Sequence, residues 1–183
     1  TYNGEVPEVR SALFINGDWF GAVLENGGPL LDASASALPY AINAKPARVL
    51  VLEAGTGTDI IQAVHRGAAR VTAVEQQREA LELAMADQDP EVAGPLAGGS
   101  GRFVFLSPRT WLALDREHYD LITLPVVGTF GGSAGLFAMQ EQYLLTREAF
   151  AEIWRHLKPD GLLRISSWLD SSARTPLRLA ATP

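Results

Sequence analysis

The chain has 183 residues, 47% of them hydrophobic and 20% charged, which is the composition of about one globular domain with a continuous core. Fifteen basic against 21 acidic residues give a net charge of -6 with no basic run, which argues against nucleic acid as a partner. The absence of cysteine excludes disulfides, thiolate metal sites and a cysteine nucleophile, and it fits a reducing, cytoplasmic setting.

Three histidines, His65, His118 and His156, form no HExxH or other close pairing, so no metal site is expected. No apolar stretch reaches the roughly 20 residues that span a bilayer, so the expectation is a soluble segment without membrane contact. It opens at Thr1 rather than Met and stops at Pro183 soon after a strand-like run, as a piece of a longer protein would.

In chain order, "SALFINGDWFGAVLENGG" places two apolar runs around Asn16 and Gly17, a pair that tolerates the positive φ of a type I′ turn and predicts a β-hairpin. Pro39 and Pro46 bracket a connector. "RVLVLE" is then a continuous apolar run suited to a strand buried on both faces. Ile60, Ile61, Val64 and Ala68 share one helical face, and Gly67 is placed to end that helix.

The alternation continues with "RVTAVE" as a strand, Gln77 to Ala86 as a helix, "RFVFL" as a strand after the small-residue linker "AGPLAGGSG", and "YDLITLPVV" as a strand. Helix "TREAFAEIWRHL" has Thr146 as its N-cap and "KPDG" as its stop, and "LLRISSWL" is a fifth strand. This pattern predicts an α/β fold, a Rossmann-like doubly wound and mostly parallel sheet, with a hairpin lobe over residues 1–38 and a nucleoside-binding domain over 39–183.

Gly55 and Gly57 occupy the first strand-to-helix turn, where open parallel sheets bind nucleotides. Glu75 ends the next strand, at the offset where a carboxylate accepts both ribose hydroxyls. The dinucleotide fingerprint needs glycine where this chain has Ile60, and Asp59 competes with a pyrophosphate for helix N–H groups. Glu53, Asp59 and Glu75 instead describe an acidic place for a ligand with a cationic end, such as S-adenosylmethionine or its decarboxylated form.

The order of these pieces resembles class I methyltransferase-fold proteins and, more narrowly, the spermidine synthase family of aminopropyltransferases. "LFINGDWFG" resembles that family's N-terminal hairpin, "ALPY...ARVLVLEAGTG" the approach to its glycine loop, and "VTAVE" its ribose-binding strand. "YDLITL" and "YLLTREAFAEIWRHLKPDGLLRI" resemble its fourth strand, the helix after it and the fifth strand. The resemblance implies a transferase that uses decarboxylated S-adenosylmethionine, a polyamine acceptor and a homodimer. It also implies nucleoside contacts from Glu53, Gly55, Thr56, Gly57, Asp59, Glu75 and Ser107.

The chain departs from that pattern at the reaction centre. Pro125 and Gly128 stand where the family carries its catalytic acids, Thr56 and Ser107 where it carries aspartates, and "LDA" near Asp32 replaces a Tyr, His, Glu stretch. An inserted segment, Thr129 to Tyr143, supplies Glu141 and Tyr143 as replacement candidates for the missing acid and substrate contacts. The alternative, resting on the missing acids and the cut-looking termini, is a non-catalytic regulatory or interaction module of a larger protein; the class I sheet ends in two further strands for which "SSARTPLRLAATP" offers no room.

Overall fold

The computed structural model describes residues 9–86, 88–127 and 143–167, together with 177, 180 and 181. The hairpin forms as expected: β1 (Val9–Ile15) pairs antiparallel with β2 (Asp18–Leu24), and Asn16 and Gly17 turn between them at φ 52 and 86. Two positive φ values in succession are what a type I′ turn requires, and the Asn-Gly pair supplies them with little strain.

The segment that follows the hairpin is helical. It holds α1 (Pro29–Ala33), a 3-10 turn (Ala35–Ala37) and α2 (Leu38–Ile42). Both α-helices carry proline in the first turn, where the missing N–H has no intrahelical partner and the fixed φ is already helical. Leu31 and Tyr40 from these short helices are buried against the sheet.

Beyond them lie β3 (Arg48–Leu52), α3 (Thr58–His65), β4 (Arg70–Val74), α4 (Arg78–Ala86), α5 (Pro90–Pro95), β5 (Gly101–Val104), α6 (Pro108–Leu114), β6 (Tyr119–Val127), α7 (Arg147–Arg155) and β7 (Leu157–Ser167). The five strands of the main sheet run parallel in the order β5-β4-β3-β6-β7. The order reverses at β3, so the crevice beyond the carboxyl ends of β3 and β6 is the topological switch point of a doubly wound sheet.

Two apolar layers sandwich the sheet. Ile60 and Ile61 of α3, Leu81 of α4 and Val92 of α5 cover one face with Val49, Val51 and Val71. Trp111 and Leu112 of α6, with Ile153 of α7, cover the other with Leu50, Leu52 and Ile122. The alternation along β3, odd residues to one layer and even residues to the other, is why its sequence is apolar throughout.

Three elements differ from expectation. The "AGPLAGGSG" linker is helical over most of its length, with Pro90 opening α5 and a turn of helix over Leu96–Ser100 whose Leu96 is buried. β5 stops at Val104, because Ser107 and Pro108 start α6 just beyond. β7 begins at Leu157, and "KPDG" bulges out of it where the register shifts between Tyr119 and Leu121 of β6. Thr146 caps α7 as expected, its Oγ1 accepting from Ala149 N at 3.2 Å. No helix among the described residues is long and apolar enough to cross a membrane.

Candidate functional site at the carboxyl edge of the sheet

The loop between β3 and α3 has an unusual backbone. Glu53, Gly55 and Gly57 all have positive φ, at 57, 56 and 81. Ala54 N donates to Val74 O at 3.1 Å, and Gly57 N to Ala54 O at 2.9 Å, so the loop is pinned to the neighbouring strand and folded on itself. Glu53 is the one side chain in this run held in a conformation that disfavours a Cβ, which is characteristic of functional turns.

Gly57 is constrained first by its backbone. It is left-handed, and a Cβ there would overlap the Met85 side chain. Gly57→Ala is expected to lower stability by about 1–3 kcal/mol, read as a shift in the urea midpoint at unchanged slope.

Glu75, at the end of β4, organises this loop. Its Oε2 accepts from Gly55 N and its Oε1 from Gln77 N, both at 2.8 Å, and the residue is only 7% exposed. A carboxylate has about four acceptor positions, so each oxygen keeps one for a second donor arriving from the crevice.

Glu53 lies on the open side, exposed. Its carboxyl pKa is raised, first by partial desolvation among surrounding protein atoms and then by the like charge of Glu75. The two acids therefore favour a cation between or beside them.

Asp59 does not join that pair. It is 3% exposed, and its Oδ2 lies 2.5 Å from Nη1 of Arg164 on β7, whose Nη2 donates to Ser166 Oγ at 2.6 Å. Burial raises the Asp59 pKa and Arg164 opposes that rise. Sequence reasoning missed Arg164, although a single arginine inside the apolar run "LLRIS" was a signal that a buried acid had to meet it.

The other expected site residues are placed as follows. Thr56 Oγ1 donates to Ala22 O of the hairpin at 2.7 Å. Ser107 is the N-cap of α6, its Oγ accepting from Thr110 N at 3.1 Å and sharing a hydrogen bond with Thr110 Oγ1 at 2.7 Å. Asp32 forms a surface ion pair with Arg66 at 2.5 Å. Pro125 lies inside β6, two residues before its end. Glu141 lies outside the described residues; Tyr143 opens a 3-10 turn, Tyr143–Leu145.

His118 is exposed, as a loop residue should be, and Trp111 is core, with the Arg102 guanidinium 4.6 Å from its ring centroid. Trp154 is 67% exposed on α7. Across the cradle, the Arg78 guanidinium sits 3.9 Å from the Phe105 ring centroid, joining the segments that follow β4 and β5.

No protein-family model and no curated protein matches the chain. Solved structures do. Burkholderia thailandensis 1,6-didemethyltoxoflavin-N1-methyltransferase, bound to 1,6-didemethyltoxoflavin and S-adenosylhomocysteine, is 27% identical over 74% of this chain and 51% of that one, at a TM-score of 0.50. A SAM-dependent methyltransferase from Agrobacterium tumefaciens matches 93% of this chain and 56% of its own length, at 20% identity and TM-score 0.57. SMU.776, a putative methyltransferase complexed with SAH, matches 91% and 44%, at 20% identity and TM-score 0.55. The chain thus spans about half the length of these three solved proteins. What they share is the Rossmann-like fold of class I methyltransferases, here preceded by an antiparallel hairpin.

Proposed function

We propose that this domain binds S-adenosylmethionine at the crevice beyond β3 and β4 and belongs to a transferase that uses it. The observation that carries the reading is the Glu75 carboxylate, fixed by Gly55 N and Gln77 N at the carboxyl end of β4, beside the glycine loop, with acceptor positions left over. A ribose presents two adjacent hydroxyl donors, which matches a carboxylate held this way. The similar 1,6-didemethyltoxoflavin-N1-methyltransferase, solved with S-adenosylhomocysteine, supports the same ligand class.

In this reading Gly55 and Gly57 let the loop backbone approach the nucleoside, and Glu53 faces its cationic end. When bound, S-adenosylmethionine supplies an electrophilic carbon on a sulfonium. The part of the chain is to orient that carbon and hold the positive charge between Glu53 and Glu75. Thr56, Asp59 and Ser107 contribute through the backbone around them, since each side chain already has a protein partner.

Methyl transfer fits the end of β6 better than aminopropyl transfer. An amine acceptor arrives protonated and needs a carboxylate to remove its proton, whereas β6 ends in Leu124, Pro125, Val126 and Val127. The purified protein is therefore expected to make no spermidine from putrescine and decarboxylated S-adenosylmethionine. The same apolar strand end favours a second reading, a domain that binds the nucleoside without turning it over. Binding without methyl transfer to any acceptor offered would select it.

The decisive experiment compares S-adenosylmethionine, S-adenosylhomocysteine, decarboxylated S-adenosylmethionine, methylthioadenosine and NAD by calorimetry and thermal shift. The adenosyl sulfur ligands should raise the melting temperature and NAD should not. No response to any adenosyl sulfur ligand would remove the proposal.

The acid pair also gives a pH dependence. Glu53 must be ionised to attract a cation, and its pKa is raised, so affinity for S-adenosylmethionine should be full above that raised value and fall as pH drops through it. Glu53→Gln should weaken binding at neutral pH and flatten the profile, measured by titration across the acid range. An unchanged profile in that variant would assign the effect to another group.

A further inference from the structure

Thr56 stands between the two glycines of the cradle, yet its side chain is engaged with the hairpin. Its hydroxyl donates to the carbonyl of Ala22 on β2 at 2.7 Å. Its methyl group lies against Gly21, where any Cβ would come within 2.7 Å of Thr56 Cγ2. Gly21 has no positive φ to explain it; the close approach of Thr56 does. The hairpin is also tied at its other strand, where Arg10 Nη1 of β1 meets Asp89 Oδ1 at 2.7 Å, ahead of α5.

A two-stranded hairpin is marginal on its own, so its order depends on such docking. The glycine loop in turn is tied to β4 through Ala54 N and the Glu75 carboxylate, and Thr56 is the residue of the loop that ties it to the hairpin. We propose that Thr56 is a positioning residue: it clamps the N-terminal hairpin onto the glycine loop, so that docking of the hairpin and the loop geometry that receives the nucleoside are one coupled equilibrium. This rests on the adenosyl-ligand reading above. A ligand seated on the loop then slows opening of the hairpin, and a loosened hairpin weakens the ligand.

Hydrogen exchange of the hairpin amides and calorimetry with S-adenosylhomocysteine, on the whole chain, test this together. Thr56→Val keeps the shape and deletes the hydroxyl; Thr56→Ser keeps the hydroxyl. Losing this part-buried hydrogen bond should make Thr56→Val exchange faster through β1 and β2 and bind more weakly, each by about three- to tenfold, with Thr56→Ser returning both toward wild type. Gly21→Ala should move both in the same direction as Thr56→Val. Unchanged hairpin exchange in Thr56→Val overturns the clamp, with or without ligand. Faster exchange at unchanged affinity overturns the coupling. If the wild-type chain binds no adenosyl ligand, the functional reading falls and the coupling with it, while exchange in the ligand-free variants still decides the clamp.

Discussion

Replacing Glu75 with alanine is expected to abolish measurable adenosyl-ligand binding, a loss of about a hundredfold or more, while leaving a folded domain about 1–3 kcal/mol less stable. The two effects have separate origins. Binding is lost because hydrogen bonds to a charged acceptor are worth about 1.5–3 kcal/mol each, and a ribose would lose two of them. Stability is lost because Gly55 N and Gln77 N both donate to this carboxylate and would be left without an acceptor near the top of the sheet. Glu75→Gln separates charge from shape: its amide can accept from one N–H but turns a donor toward the other, so neither property should be rescued. Urea unfolding and calorimetry read the two effects independently. Wild-type affinity in Glu75→Ala would exclude the ribose role.

That prediction rests on residues that were readable from the sequence because each carries a local signal. Asn16 and Gly17 fixed the hairpin turn through their tolerance of positive φ, and both adopt it. The unbroken apolar runs of β3 and β4 required burial on both faces, which a parallel sheet between two helical layers provides. Thr146 announced the start of α7 by its distance from the apolar face it precedes.

Pairings distant in sequence were not readable in the same way. Asp59 was grouped with Glu53 and Glu75 because all three are acids near one loop, but its partner is Arg164, 105 residues away. A helix N-terminal acid and a mid-strand arginine become a pair only once β7 is known to lie beside β6. Ser107 is a nucleoside contact only by resemblance, and "SPRT" is also a helix start, with a capping hydroxyl and proline in the first turn. The linker rich in glycine and alanine hid Leu96, the apolar anchor that winds it against the core. Thr56 was read against the ligand alone, because its contact with Gly21 and Ala22 depends on where the hairpin docks.

Removing either member of the Asp59–Arg164 pair should produce the largest stability loss, about 3–5 kcal/mol, because a buried charge is left uncompensated. Asp59 is 3% exposed and the Arg164 side chain 12%, so water can replace neither partner effectively. Replacing both, as Asp59→Leu with Arg164→Met, should recover most of the loss, since well-packed apolar residues of similar volume often match a buried pair.

The single variants also differ in their pH response. Burial raises the folded-state pKa of Asp59 above its ordinary 3.8, and Arg164 opposes that shift. A raised acid contributes most to stability below its unfolded pKa, and that contribution is lost as pH rises through the folded value. Taking Arg164 away leaves burial unopposed, so the folded pKa climbs further and the loss extends over a wider range. Arg164→Met should therefore be least impaired at acid pH and increasingly impaired toward neutrality, whereas Asp59→Ala, which has no carboxyl to protonate, should not follow that course. Urea midpoints at about pH 5 and about pH 8 distinguish them. An equal deficit for Arg164→Met at both values would mean that Asp59 is not the charge left behind. Because α3 begins directly after the glycine loop, the same pair holds the floor of the cradle in place, and Arg164→Met should weaken adenosyl-ligand binding in parallel with its stability.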